Sequence, residues 1–131
     1  KAHFERLYAD HLISIKILKK AMTCTDGVVE FDVSDHPIRG HNKFIPYWVF
    51  PESIYNVGVT LEPSRAKVSV GTNPWASRKP RHNLAEICER YGGGGHSVVA
   101  AISFDAAKLD EAQRAASEIA GILRQDAGAD R

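Results

Sequence analysis

The sequence predicts a single mixed α/β domain, a central mixed β-sheet flanked by helices. The chain has 131 residues, enough for one sizeable core but not for two. Apolar residues recur with helical spacing at both ends, and strand-like apolar runs lie between them. The resulting order of helix, strands, helix, strand and helix is typical of one layered domain.

The N-terminal segment predicts a helix from His3 to about Met22. Its apolar residues fall at helical spacing: Phe4, Leu7, Tyr8, Leu12, Ile15, Leu18 and Met22. Thr25, Asp26 and Gly27 predict a turn, and the alternating stretch from Val28 to Val33 predicts a strand.

A predicted hairpin occupies the middle of the chain. Residues 34–51 are rich in proline and aromatic side chains, which favours a loop with a short helical piece. The runs Ile54–Glu62 and Ala66–Thr72 predict two strands that meet at a turn around Pro63.

The last third predicts a short helix, a strand and a longer helix. Asn83 and Glu86 have the spacing of a capping box at the start of the short helix. The run from Ser97 to Phe104 predicts a buried strand, and Asp105 is placed to cap the final helix. That helix has apolar residues at helical spacing, namely Leu109, Ala112, Ala116, Ile119, Ala120 and Leu123.

Composition and charge limit which ligands and which cellular compartments the sequence predicts. The formal net charge is only +1, so a generic electrostatic grip on nucleic acid is not implied. Cys24 and Cys88 lie far apart without metal-type spacing, which suits a reducing compartment. With no membrane-length apolar stretch and no secretory signal, we expect a cytoplasmic protein without membrane contact.

The run Gly92-Gly93-Gly94-Gly95-His96 is the strongest functional signal. Four glycines cost more backbone entropy than a helix cap requires, and successive free N–H groups can form a concavity that suits phosphate. Because the run follows a helix C-terminus, the helix dipole does not help it, and nearby cations must. Arg78, Lys79 and Arg81, with His82, supply such cations just before the short helix. The alternative is a cap followed by a loose connector.

Gly93-Gly94-Gly95-His96, followed by Val99-Ala100-Ala101, resembles the Gly-Gly-Gly-His and Ala-Ala-Gly hallmark of a known domain. This is the C-terminal DHH-associated domain of DHH phosphoesterases, found in RecJ-type exonucleases, oligoribonuclease/pAp phosphatases and cyclic-dinucleotide phosphodiesterases. The opening helix, the strand at Val28–Val33 and the hairpin also fit, so the resemblance spans nearly the whole chain. It implies a mixed sheet and a substrate-binding role.

The resemblance also implies which residues bind phosphate. The backbone of the run Gly92–Gly95 and the side chain of His96 would hold a phosphate or terminal nucleotide. Ser69 lies in the matching strand segment, where the family carries an arginine at the position of Gly71. Arg78 or Arg81 from the adjoining loop could replace that arginine, with Lys79 beside them; the sequence leaves this open.

Catalysis would lie elsewhere. The resemblance implies a separate N-terminal catalytic domain that binds Mn²⁺ or Mg²⁺, which would be this chain's partner along with a nucleotide or short oligonucleotide. Residues 1–24 would be a helix linking from that domain, and residues 25–131 the substrate-binding domain. The chain itself is predicted to hold no catalytic or metal-binding residue and to be inactive alone. Formation of a homodimer stays open.

Two other functions compete with this interpretation. One is a nucleic-acid-binding module without hydrolytic role, such as the related domain appended to alanyl-tRNA synthetases, whose affinity should fall steeply with salt. The other is a domain used only for packing or dimerisation.

Other clusters give weaker signals. Asp32, Asp35, His36 and His41 match no established metal-ligand spacing, which favours a polar surface loop. Cys88 lies on the apolar side of its helix and is predicted to be a core thiol. Trp75 could equally stack a nucleobase or plug the core. Tyr47, Trp48 and Phe50 are predicted to be core or domain-interface residues.

Overall fold

A six-stranded mixed sheet with helices on both faces forms the protein, as the sequence predicts. The computed structural model describes residues 12, 15–35 and 44–129, with side chains up to residue 125. The strands are β1 Thr23–Thr25, β2 Val28–Asp32, β3 Tyr55–Leu61, β4 Arg65–Thr72, β5 Gly94–Gly95 and β6 Val99–Asp105, in the spatial order β1-β2-β3-β4-β6-β5. The helices are α1 at residues 15–21, α2 Ile45–Val49, α3 Leu84–Glu89 and α4 Leu109–Ala129, the last preceded by a 3₁₀ turn at Ala106–Lys108.

Strand pairing confirms the predicted hairpin and adds one that the sequence did not predict. β3 and β4 pair antiparallel through a short turn, and among the strand pairs of the described residues only β2–β3 is parallel. The extra hairpin joins β1 to β2 through Asp26 and Gly27, whose φ angles are 50° and 81°. Two consecutive positive φ angles are typical of two-residue hairpin turns, whose twist matches that of the flanking strands. The turn therefore determines the pairing of β1 with β2.

The larger core lies between one face of the sheet and the helices α3 and α4. Alternate residues of β3, β4 and β6 point into it, including Val57, Val68 and Ile102. Ile119 and Leu123 of α4 are fully buried against them. This helix supplies a broad apolar stripe, as its periodicity predicts.

A smaller apolar core lies on the opposite face, against β2. Leu18 and Met22 at the end of α1, and Ile45 of α2, pack with Val29 and Phe31 of β2 and with Val33. The Phe31 ring lies on Gly58 of β3, where an added Cβ would approach the ring atoms to less than 3.0 Å. Gly58 therefore leaves room for the ring.

Local details at the helix starts and in β6 differ in part from expectation. Asn83 caps α3 as predicted, because its side chain accepts the Glu86 N–H at 3.3 Å. The expected cap by Asp105 is wrong, since its side chain makes no capping hydrogen bond. The expectation of a buried strand is also wrong: β6 alternates between buried and exposed residues because only one of its faces is covered by helices.

Much of the predicted first helix, together with His36 and His41, lies outside the described residues. Among the helices of the described part, none combines the length and the apolar character needed to cross a membrane.

Candidate functional site

The first half of the glycine run ends helix α3. Gly92 has a φ of 87°, its N–H donates to Glu89 O at 3.1 Å, and the Gly93 N–H donates to Cys88 O at 2.9 Å. This pair of bonds is a Schellman motif, which satisfies the last carbonyls of a helix. The expectation that the whole run presents free amides is therefore wrong for Gly92 and Gly93.

The second half of the run is an edge strand. Gly94 and Gly95 form β5, which pairs with Ala101 and Ala100 of β6, and the His96 N–H donates to Val99 O at 2.7 Å. Antiparallel partners alternate between hydrogen-bonded and non-bonded pairs. The bond at His96 therefore directs the N–H of Gly94 toward β6 and that of Gly95 away from it, toward the open edge of the sheet.

Close backbone approach explains two of the four glycines. A Cβ at Gly93 would lie less than 3.0 Å from the backbone of Ala101 and Ile102. Gly95 has a φ of 146°, and a Cβ there would lie 2.7 Å from Ala100 Cα. Gly94 differs, because nothing lies within 4 Å of the position of its Cβ. Gly93 and Gly95 let the edge strand sit close to β6, whereas Gly94 faces open space.

The strand register places Ser69 in one row with the glycine run. Ser69 of β4 pairs with Ala101 of β6, which pairs in turn with Gly94 of β5. The next row along β4 joins Lys67 to Ser103. We name these five residues the polar sheet face.

The polar sheet face lies opposite the larger core, because the intervening residues Ala66, Val68 and Val70 point into that core. Ser69 and the glycine run were predicted site residues, and the fold brings them together. Lys67 and Ser103 were not predicted. The sequence could have indicated Lys67, because polar and apolar residues alternate along β4. Such alternation is typical of a strand with one face in the core and the other face polar.

The Gly71 position has no space for the arginine of the resembling family. The Asn56 amide donates a hydrogen bond to the Tyr47 hydroxyl, and a Cβ at Gly71 would lie 2.8 Å from both groups. Burial raises the pKa of Tyr47, so its hydroxyl keeps its proton at neutral pH. A buried and neutral hydrogen-bonded pair takes the place of a cation here.

The loop at residues 78–82, which we name the basic loop, is anchored to the sheet beside the turn that joins β5 to β6. The Tyr55 hydroxyl accepts the N–H groups of Arg81 at 2.9 Å and of His82 at 3.1 Å. Just beyond, the Leu84 N–H donates to Ser97 O at 2.9 Å, next to His96. The end of the basic loop thus lies near the turn at residues 95–98, which joins β5 to β6 and which we name the glycine–histidine turn.

The side chains of the basic loop and of His96 are open to solvent to different degrees. Lys79, Arg81 and His96 are exposed, and Arg78 is half-buried. Of these side chains, Lys79 and His96 are open to an anion from outside the chain.

No metal centre forms in the described part of the chain, where no three His, Cys, Asp or Glu side chains come together as ligands. Asp32 instead accepts hydrogen bonds from the Ser34 N–H and the Gln113 amide, each at 2.9 Å. Cys88 is a core thiol, as predicted, and burial raises its pKa to about 11.

An aromatic groove of about 600 Å³ opens at the end of β4. Its lining includes Phe44, Tyr47, Trp48, Glu52 and Trp75. Trp75 is 68% exposed, which excludes the core-plug alternative, and Trp48 is 77% exposed whereas Tyr47 is buried.

Comparison with known proteins supports the fold. No family model matches the chain, and no curated protein matches it by sequence. Among solved structures, the chain is similar to the pGpG-specific phosphodiesterase PggH from Vibrio cholerae, with a TM-score of 0.71 and 19% sequence identity. The match covers 95% of this chain and 40% of that chain, so the chain spans less than half the length of the phosphodiesterase. At this identity the likeness shows a shared fold.

Proposed function

We propose that this chain is the substrate-binding domain of a metal-dependent, DHH-type phosphoesterase. It would hold a phosphate of a nucleotide or short oligonucleotide. The glycine–histidine run supports this proposal, and so does the fold shared with part of a phosphodiesterase that acts on pGpG.

The observation that carries the proposal is the position of the polar sheet face beside the glycine–histidine turn. Lys67 supplies a positive charge and the Ser69 hydroxyl a hydrogen-bond donor, both from the same face of β4. Lysine binds phosphate as a point charge, and short neighbours such as Ala101 and Gly94 leave room for it. His96, which follows β5, is exposed and borders the polar sheet face at the turn between β5 and β6.

The bond-breaking chemistry is assigned outside these residues. The described residues do not fit a metal ion, so no catalytic step is placed on them. We propose that Mn²⁺ or Mg²⁺ is held by an N-terminal DHH catalytic domain, with residues 1–24 as the connecting helix and 25–131 as the binding domain. The role of this chain is to orient the substrate phosphate, since fixed geometry lowers the entropic part of a reaction barrier.

Isothermal titration of the 131-residue chain with pGpG and pAp tests the phosphate site. We expect His96→Ala and Lys67→Ala each to weaken binding by about tenfold or more, the usual effect of losing one charged hydrogen bond. Lys108→Ala is the matched control, because Lys108 is an exposed lysine in the 3₁₀ turn before α4. It should leave the affinity unchanged.

Two results would contradict the proposal. If both site variants bind as tightly as the wild type, the polar sheet face does not hold the phosphate. If affinity for longer RNA falls steeply with salt and neither pGpG nor pAp binds, many phosphates are contacted, as in a nucleic-acid-binding module.

A further inference from the structure

The aromatic groove has the composition of a nucleobase site. Phe44, Trp48 and Trp75 give it aromatic walls, and a single carboxylate, Glu52, lies in its lining. Enzymes that recognise an unpaired base stack it on aromatic or apolar side chains and hydrogen-bond its Watson–Crick edge. The groove offers both kinds of contact.

The backbone of Trp75 is hydrogen-bonded in place, and its exposed side chain contacts a neighbouring ring. The side-chain oxygen of the buried Asn73 accepts the backbone N–H of Trp75 at 2.9 Å, and the side-chain amide of Asn73 donates to the carbonyls of Ser53 at 2.8 Å and Pro51 at 3.2 Å. The Trp75 ring also contacts Phe44, with ring centroids 5.2 Å apart and the planes tilted by 59°. A preorganised aromatic surface loses little conformational entropy when a ligand stacks on it.

The groove adjoins the proposed phosphate site. Tyr47 lines the groove, and its hydroxyl lies over Gly71 through the bond from Asn56. Gly71 pairs with Val99, whose carbonyl accepts the His96 N–H. Two strand spacings, about 10 Å, therefore separate Gly71 from His96. A single nucleotide has the size to reach from one to the other.

We propose that the aromatic groove binds a guanine base, stacked against Trp48 and Trp75, with Glu52 accepting its N1–H and N2–H₂ groups. A carboxylate only accepts hydrogen bonds, which matches the two donors of guanine and mismatches the acceptor N1 of adenine. This inference deepens the proposed function, since it names the base of the nucleotide whose phosphate lies near His96.

Guanosine, which lacks phosphate, tests the groove separately from the phosphate site. The chain has two tryptophans, and both line the groove, so intrinsic tryptophan fluorescence reports on this surface alone. We expect saturable quenching by guanosine and binding at least tenfold weaker for adenosine.

Variants of the groove refine the test. Trp48→Ala and Trp75→Ala should each weaken guanosine binding, measured by calorimetry, by about fivefold to 100-fold, the range for loss of one stacking side chain. Trp75→Phe should retain part of the guanosine affinity that Trp75→Ala loses. Glu52→Gln should reduce the preference for guanosine over adenosine by about tenfold. Glu111→Gln, on the exposed face of α4, is the control and should leave both affinities unchanged.

The outcomes separate this inference from the proposed function. If guanosine causes no saturable quenching while pGpG still binds in a manner that depends on His96, the groove is not a base site, and docking of a partner domain becomes its explanation. If guanosine binds but His96→Ala and Lys67→Ala leave pGpG binding unchanged, the base site stands and the proposed phosphate site fails. Equal quenching by guanosine and adenosine would refute the assigned role of Glu52.

Discussion

Alanine substitution along the glycine run distinguishes a built edge strand from a loose loop. In a loose loop, each glycine-to-alanine change would raise stability slightly by restricting the unfolded chain, by about 0.4–1 kcal/mol. The structure instead assigns a different environment to each position. The four variants should therefore differ widely in their free energy of unfolding.

The expected magnitudes follow from the space at each Cβ. Gly94→Ala meets nothing within 4 Å and should stabilise by up to about 1 kcal/mol. Gly92→Ala, at a φ of 87°, should cost about 1 kcal/mol, because left-handed strain exceeds the gain from the unfolded state. Gly93→Ala must push two strands apart and should cost about 3 kcal/mol. Gly95→Ala combines strain with a clash and should cost at least as much.

Urea and thermal denaturation followed by circular dichroism would measure these differences. For a domain of this size, 1 kcal/mol corresponds to a shift in Tm of about 4 °C, so Gly93→Ala should melt about 12 °C below the wild type. Gly121→Ala is the control, since it lies in α4 with nothing within 4 Å and should stabilise. Equal melting temperatures for Gly93→Ala and Gly94→Ala would refute the assignment of the run to a cap and an edge strand.

Two further outcomes follow from burial. Gly71→Arg introduces the arginine of the resembling family. It should lower the free energy of unfolding by about 3 kcal/mol because it displaces the buried Tyr47–Asn56 pair. Unchanged stability in urea would refute this, because it would show that the pair moves aside at no energetic cost. Only the thiolate is nucleophilic, and a pKa of about 11 keeps Cys88 protonated at pH 8, so Ellman's reagent should titrate exposed Cys24 first and Cys88 only after unfolding. Equal rates for both thiols in the folded chain would contradict this burial.

The fold was predictable because local signals and burial agree over most of the chain. The hairpin of β3 and β4 and the stripe of α4 have strong periodicity, and Asn83 is a specific cap. β1 has three residues, which is too short for any period to appear. Its pairing depends on the positive φ angles at Asp26 and Gly27, which propensity alone does not specify.

The candidate site was predictable in part, for a related reason. Glycine can signal close approach or phosphate binding, and only tertiary contacts decide which applies at each position. Gly93 contacts β6, and Gly92 caps α3. Both features depend on the folded backbone, so four consecutive glycines in a sequence do not show which glycine has which role. Lys67 carried a usable signal in the alternation of β4, but its neighbours Ala101 and Ser103 come from a strand more than thirty residues away.

Strand β4 would connect the proposed phosphate site to the proposed base site at a set distance. Its polar residues Lys67 and Ser69 lie on the proposed phosphate side, and the turn after its last residue, Thr72, carries Trp75 into the groove. Antiparallel strands rise about 3.4 Å per residue, so Ser69 and Thr72 lie about 10 Å apart along a strand paired on both sides. Because a strand paired on both sides keeps this spacing, the two proposed sites together would favour a nucleotide over a lone phosphate or a lone base, each of which would occupy only one site.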